Sequence, residues 1–371
     1  MIRFLCTFLL CALTVSAGMA QERRATERGP VIVQQMISGL DQPWAIGFLP
    51  DDGILVTEKG GRLLHVKDGS ATPVANVPAV AQIGQGGLLD VVVARDFAES
   101  REIFLSYSKP EGRGAKTALA VARLSSDGAA LDRVREIFQM SAASSSGQHF
   151  GSRIVEAPDG TLFLTIGDRG DRPEAQNPQA HNGKVVRVNR DGTIPADNPF
   201  ADGAQALPDI WSIGHRNPQG AALDETGRFW TVAHGARGGD EINVPEAGRN
   251  YGWPVISYGR HYTGLRIGEG PAKDGMEQPR HYWDPSIAPS GMMIYSGRLF
   301  PEWAGDIFVG SLKFDMISRL TRSGDTVQEA ERLFQDTYVR IRDIREAPDG
   351  SIWFLAVVPG AAYRITPAPE S

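Results

Sequence analysis

One histidine stands in a polar, serine-rich loop just before a strand, in Ser146-Gly147-Gln148-His149-Phe150-Gly151-Ser152-Arg153. An imidazole, with an ordinary pKa of about 6.5, is the side chain best matched to taking a proton from a hydroxyl at neutral pH. A loop histidine held by hydrogen bonds for structural reasons is the alternative. Further along, Ile213-Gly214-His215-Arg216-Asn217-Pro218-Gln219-Gly220 crowds donors between two strands. A guanidinium beside an amide suits a planar ligand that carries carboxylates and carbonyls, although Asn217-Pro218 also reads as a plain turn.

The stretch Ala233-His234-Gly235-Ala236-Arg237-Gly238-Gly239-Asp240-Glu241-Ile242-Asn243, followed by Asn250-Tyr251-Gly252-Trp253-Pro254, is the densest in glycine and acid. Glycine lets backbone carbonyls turn toward one point and a carboxylate adds charge, which together suit calcium and its roughly six to eight oxygens. The spacing does not match an EF-hand loop. Lys313, in Gly310-Ser311-Leu312-Lys313, and the pair Arg340 and Arg342, in Arg340-Ile341-Arg342-Asp343, each follow or begin a strand. Strand alternation puts Arg340 and Arg342 on one face. Solvated surface charge is the competing reading for each cation alone.

These segments need a scaffold, and the chain repeats one. A turn followed by a strand recurs six times, at Asp52-Gly53 to Thr57, Ser100 to Ser106, Asp159-Gly160 to Thr165, Thr226-Gly227 to Thr231, Ala304-Gly305 to Val309 and Asp349-Gly350 to Phe354. A second strand follows most copies at hairpin distance, over 61–66, 119–124, 183–188, 316–321 and 361–365. A lone meander cannot bury both of its faces, so six in a row stack radially around an axis. The fold expected is all-β, a six-bladed β-propeller, as a single catalytic domain over residues 21–371. The copies are unequally spaced, and the long stretches at about 168 to 222 and 232 to 300 are where loops would build a site.

Residues 1–20 carry one charge, Arg3, then an apolar run and a small-residue end, the pattern of a secretory signal peptide. The run is too short to span a bilayer, which takes roughly 20 apolar residues. A periplasmic or secreted protein without membrane insertion is expected. Both cysteines, Cys6 and Cys11, fall in that segment. The mature chain is therefore expected to rely on its apolar core, without disulfides. With 38 basic against 44 acidic residues and no block of like charge, nucleic acid is not an expected partner. No phosphate loop, nucleophile elbow, helical histidine pair or cysteine cluster appears, which removes the usual support for nicotinamide, ATP and serine-hydrolase chemistry. Arg169-Gly170-Asp171 spells an adhesion tripeptide and reads as accidental.

Taken together, Gly84-Gln85-Gly86-Gly87-Leu88-Leu89, His149-Phe150-Gly151, Gly183-Lys184-Val185-Val186-Arg187, His215 to Gly220, Asp240 to Asn243, Asn250 to Pro254 and Arg340 to Asp343 resemble the soluble quinoprotein glucose and aldose sugar dehydrogenases. The likeness runs from Gln42-Pro43-Trp44-Ala45 to Pro348-Asp349-Gly350. It implies a propeller with pyrroloquinoline quinone (PQQ) over its channel. His149 would be the base that takes the C1 hydroxyl proton of an aldose as hydride passes to the quinone. It further implies cofactor contacts at Gln85, Arg216, Asn217, Tyr262, Lys313, Arg340, Arg342 and Asp343. Calcium would be held by carbonyls of Gly235 and Ala236, polarising the quinone, and a second calcium by Glu241 and the Tyr251 carbonyl.

Two departures matter. Gln148 precedes His149 where the glucose-specific branch has an acid, and the late loops are shorter, so the resemblance is to the aldose branch with its open site. The expected partners are a small aldose and an electron acceptor, in a monomer or homodimer. A calcium-dependent lactone hydrolase and a non-catalytic sugar-binding propeller are the other readings. The first requires several carboxylates converging on one metal, and the second predicts gaps among His149, Arg216, Asn217, Arg340 and Arg342.

Overall fold

The computed structural model describes residues 21–369; the expected signal segment and its two cysteines lie outside them. Each of the six turn–strand copies becomes the second strand of an antiparallel sheet, four-stranded in five blades and five-stranded in the sixth. The turn chemistry is local and repeats. Asp159 Oδ1 accepts the Thr161 N–H at 2.9 Å and its hydroxyl at 2.7 Å, and Asp224 with Thr226 and Asp349 with Ser351 do the same. Such a side-chain cap closes the turn with contacts local in sequence.

Blade 1 comprises Pro43–Phe48, Ile54–Glu58, Arg62–Lys67 and Ser70–Pro73; blade 2 comprises Leu88–Val93, Glu102–Glu111, Gly114–Leu124 and Leu131–Gln139. Blade 3 is Ile154–Glu156, Leu162–Ile166, Lys184–Val188 and Ile210–Ile213, and blade 4 is Pro218–Leu223, Phe229–Ala233, Asp240–Asn243 and His281–Trp283. Blade 5 is Pro289–Ile294, Ile307–Ser311, Ile317–Ser323 and Thr326–Leu333. Blade 6 takes Ile341–Glu346, Ile352–Ala356 and Ala361–Pro367 from the C-terminal end, then Val31–Ile37 and Gln21–Arg24 from the N-terminal end. Val31–Ile37 pairs antiparallel with Ala361–Pro367, so the two ends of the chain close the ring.

The first strands of successive blades touch one another all the way round, which makes them the inner wall. Between every two neighbouring blades lies an apolar cluster, for example Trp44, Leu55 and Leu63 against Leu105 and Ala120 between blades 1 and 2. Phe308 and Ile317 meet Ile344 and Phe354 between blades 5 and 6. Both faces of each sheet are thereby covered, which is why second strands such as Leu162–Ile166 and Ile352–Ala356 are buried at every position and do not alternate apolar with polar. No helix among the described residues is long and apolar enough to cross a membrane.

The third strand of blade 4, Asp240–Asn243, has no counterpart among the strands expected from the repeats. Its glycine- and acid-rich lead-in reads as loop. Pairing with Phe229–Ala233 and His281–Trp283 makes it a strand regardless of composition.

Candidate functional site

In an antiparallel meander, connections between second and third strands, and from each outer strand to the next blade, emerge on one face. On that face a cavity of about 380 Å³ sits over the channel. Lys59, Gln85, Asn217, His234, Arg340 and Arg342, which come from blades 1, 4 and 6 and from the connections between blades 1 and 2, 3 and 4, and 5 and 6, all line it. Three of these are cations and no lining residue is a carboxylate.

His149 adopts a left-handed backbone at φ 50° and is tied down on both sides. Its N–H donates to Gln85 Oε1 at 2.8 Å, and its Nδ1 lies 2.6 Å from Asp168 Oδ1. The loop can approach because residue 167 is glycine: a Cβ there would come within 2.1 Å of the His149 carbonyl oxygen. Asp168 is fully buried. Its Oδ1 also accepts the Gly170 N–H at 2.8 Å, and its Oδ2 accepts the indole N–H of Trp253 at 2.8 Å. Burial opposes ionisation of Asp168. The bond and charge of His149, the Gly170 amide and the Arg216 charge outweigh burial and hold the carboxyl below the usual range.

Arg342 donates to Gln219 Oε1 at 2.9 Å, and burial with the neighbouring Arg153 and Arg340 charges pulls its pKa down to about 9. Burial, then Arg342 and Arg340, lowers Lys59 as well. Arg340 was expected to share a strand face with Arg342. It precedes the strand instead, at φ 58°, and reaches the same cavity because its N–H is caught by Asp315 Oδ1 at 2.7 Å. Arg216 is buried, donates to the His234 carbonyl at 3.2 Å and leaves its Nε without a partner. Asn217 Oδ1 accepts the Gly151 N–H at 3.1 Å and so braces the loop after His149. Burial, with the Arg216 and Arg342 charges, holds His234 well below the usual histidine range.

Three expected cofactor neighbours do not line this cavity. Asp343 is fully buried in the channel wall, where Oδ2 accepts the Ile46 N–H at 3.1 Å and Arg345 Nε at 3.1 Å. Its charge is spent on holding blades together. Lys313 is exposed with its ammonium 4.8 Å from the Phe314 ring centroid, and Tyr262 is 73% exposed; neither lines the cavity. The motif over 183–187 is structural in this fold. Lys184 is buried and donates to the carbonyls of Glu174, Ala175 and Asn182 at 2.7–2.9 Å.

A smaller space of about 20 Å³ adjoins the cavity through His234, lined by Gly235, Glu241, Asn243 and Tyr251 among others. Burial pushes the Glu241 carboxyl up to about 7, against a hydrogen bond from Asn243 and with the Asp240 charge nearby. Asn243 Oδ1 is buried without a partner. Uncompensated oxygens around an ion-sized space are what a hard cation needs. Ala236 is buried beside this space without lining it. Asp240, although adjacent, is committed: it accepts from Gly235, Ser286, Ile287 and Ala288.

The sequence does not single out Asp168, and it marks Trp253 only as part of the Asn250 to Pro254 motif, without a role of its own. The one available signal for Asp168 is an acidic residue just past the Asp159-Gly160 to Thr165 turn–strand copy, in Gly167-Asp168-Arg169. The cationic cavity gives the lactone-hydrolase reading no converging carboxylates, and every residue whose absence the binding-module reading predicted is present.

A model of a family described as glucose/sorbosone dehydrogenase matches residues 40–363. The aldose sugar dehydrogenase YliI of Escherichia coli is 44% identical over 332 residues, covering 88% of this chain and 90% of that protein. The crystal structure of the soluble aldose sugar dehydrogenase from Escherichia coli, in its apo form, superposes with a TM-score of 0.88 at 42% identity, over 91% of this chain and all of that one. The PQQ-bound form of aldose sugar dehydrogenase from Streptomyces coelicolor, at 22% identity, shares the fold with a TM-score of 0.76 over 94% of this chain and 99% of that one.

Proposed function

This chain belongs to the glucose/sorbosone dehydrogenase family, and from that premise we propose that it is a PQQ- and calcium-dependent aldose sugar dehydrogenase that oxidises the C1 hydroxyl of aldoses to lactones. The observation that carries the reading is the His149–Asp168 pair, tied through Gln85 and the adjacent Phe150 to a cavity walled by cations. PQQ is a planar tricarboxylate; Lys59, Arg340 and Arg342 line the cavity, and Arg216, with its unpartnered Nε, lines the smaller space that adjoins it at His234, a donor set of matching charge. Glu241, Asn243 and the carbonyls of Gly235 and Tyr251 offer oxygen donors for calcium. When bound, the quinone supplies a two-electron acceptor, and calcium beside it stabilises negative charge.

The residues of the chain do the rest. Asp168 occupies His149 Nδ1, which leaves Nε2 as the nitrogen free to accept the C1 hydroxyl proton. The imidazolium so formed sits against a carboxylate held ionised, as in other His–Asp pairs. The Gln85 bond to the His149 backbone fixes where the ring can reach. The Arg216, Arg340 and Arg342 guanidinium groups orient an anionic cofactor and make the potential around it more positive, which favours negative charge there.

The test is reconstitution. Purified apoprotein loaded with PQQ and calcium should reduce a dye with a panel of aldoses, lose that activity on chelation, and lose it by about 100-fold or more in His149→Ala. No reduction with any aldose, or an unaffected variant, would sink the reading.

A further inference from the structure

Trp253 lies in the long connection between the third and fourth strands of blade 4, 5% exposed. Its indole has a single donor, and a buried donor must find an acceptor. Here the acceptor is Asp168 Oδ2, at 2.8 Å, the oxygen that His149 does not use. The ring is held from several directions. Its backbone N–H donates to the Gly214 carbonyl at 2.9 Å, its carbonyl accepts Gln176 Nε2 at 2.8 Å, and the guanidinium carbons of Arg216 and Arg172 lie 5.3 Å and 5.5 Å from its centroid. One side chain therefore touches both the carboxylate behind the base and an arginine of the cofactor site.

We propose that Trp253 is a positioning residue that sets the proton affinity of His149 by sharing the charge of Asp168. A carboxylate divides its negative charge among its donors, and each donor weakens what remains for the others. Asp168 has three: His149, the Gly170 amide and the indole. Removing the indole N–H leaves more charge facing the imidazole, so the imidazolium is favoured and the base titrates at higher pH. The other charged or titratable groups near the pair are Arg216 and Arg169 around Asp168 and His234 around His149. All three remain when the indole is changed. Cation–π contact with Arg216 gives the same ring a hold on the cofactor arginine.

The inference rests on the reading of His149 as the base, and the experiment separates the two. The His149 imidazole is titrated by nitrogen NMR in the apoprotein, its resonance assigned by loss in His149→Ala. The proteins compared are the native chain, Trp253→Phe, and a chain carrying at position 253 the isosteric benzothienylalanine, whose sulfur replaces the ring N–H. The midpoint should rise by about half to one unit in both altered proteins. In the reconstituted enzyme the acid limb of kcat/KM should move up with it. A midpoint that stays or falls in the isosteric protein, where ring packing is kept, overturns the proposal even if Trp253→Phe fails to fold. A midpoint that rises while the acid limb stays supports the tuning by Trp253 and overturns His149 as the base.

Discussion

Arg153 Nη1 lies 3.0 Å from Asp343 Oδ1 in the channel beneath the cavity, where the inner strands converge. Both side chains are buried, and they belong to a network of alternating charge. Arg153 also reaches Asp90, Arg345 Nη2 reaches Asp90 at 2.6 Å, and Arg345 Nε reaches Asp343 at 3.1 Å. The Arg153 Nε–H donates to the Gln219 carbonyl, and Ile46 and Ile154 donate backbone N–H groups to Asp343 and Asp90. Blades 1, 2, 3, 4 and 6 are thus pinned at the axis by one set of charges.

Asp343→Asn should therefore behave as a stability variant. Removing one member of a buried ionic cluster leaves its partners uncompensated, at a cost of about 3–5 kcal/mol. Denaturant unfolding of the apoprotein checks the loss. Affinity for PQQ, measured by titration at a temperature where the variant is folded, should change by less than about threefold, well under the effect expected of a lost charge-assisted contact. A large loss of affinity without a loss of stability would restore Asp343 to the cofactor site.

Arg342 should show the opposite pattern. Its guanidinium is buried beside Arg153 and Arg340, which disfavour its charge. In Arg342→Gln that repulsion disappears, so the apoprotein should be as stable as the native chain or more so. Affinity for PQQ should fall by about 10- to 100-fold, the size of one lost charge-assisted bond to a carboxylate. Thermal unfolding of the apoprotein and fluorescence titration with PQQ check the two halves. The affinity loss should shrink at high salt if the missing term is electrostatic.

The six blades were legible because their signal is local. In three of the six an Asp-x-Thr or Asp-x-Ser turn before the strand carries its own hydrogen bonds, so it can be recognised at Asp159, Asp224 and Asp349 without knowing what packs on it. The site was legible only in part, because its pairings are long-range. His149 and Asp168 are separated by a hairpin of two strands, and Asp168 and Trp253 by 85 residues. Nothing in the spacing of those residues encodes that two loops meet over the channel. Arg340 was rightly grouped with Arg342 but by the wrong route, since a left-handed residue and an Asp315 contact, not strand alternation, bring it to the cavity. Asp343, Lys313 and Tyr262 show the converse. A residue next to a site in sequence need not line it.

The same turns make a prediction about acid. At Asp159, Asp224 and Asp349 burial opposes ionisation, yet the amide and hydroxyl donors two residues on, with Arg187 at Asp159, Trp230 at Asp224 and Arg364 at Asp349, outweigh it and depress each carboxyl. A folded-state pKa below the unfolded one means that the unfolded chain binds more protons as pH falls toward it. The stabilisation is therefore complete above the unfolded value of about 3.9 and is lost as pH falls through the lower folded values. Asp224 should dominate. Its Oδ2 accepts the Trp230 indole N–H at 2.9 Å and Arg322 Nη1 at 3.0 Å, so it joins blade 4 to blade 5 as well as closing its turn. Asp224→Ala strands both donors and should cost about 3 kcal/mol at neutral pH. The difference from the native chain should narrow as pH drops below about 4, because the native chain loses the same carboxylate charge there. Unfolding followed by circular dichroism from pH 7 to pH 3 reads this directly. A difference that stays constant over that range would show that Asp224 acts through packing alone.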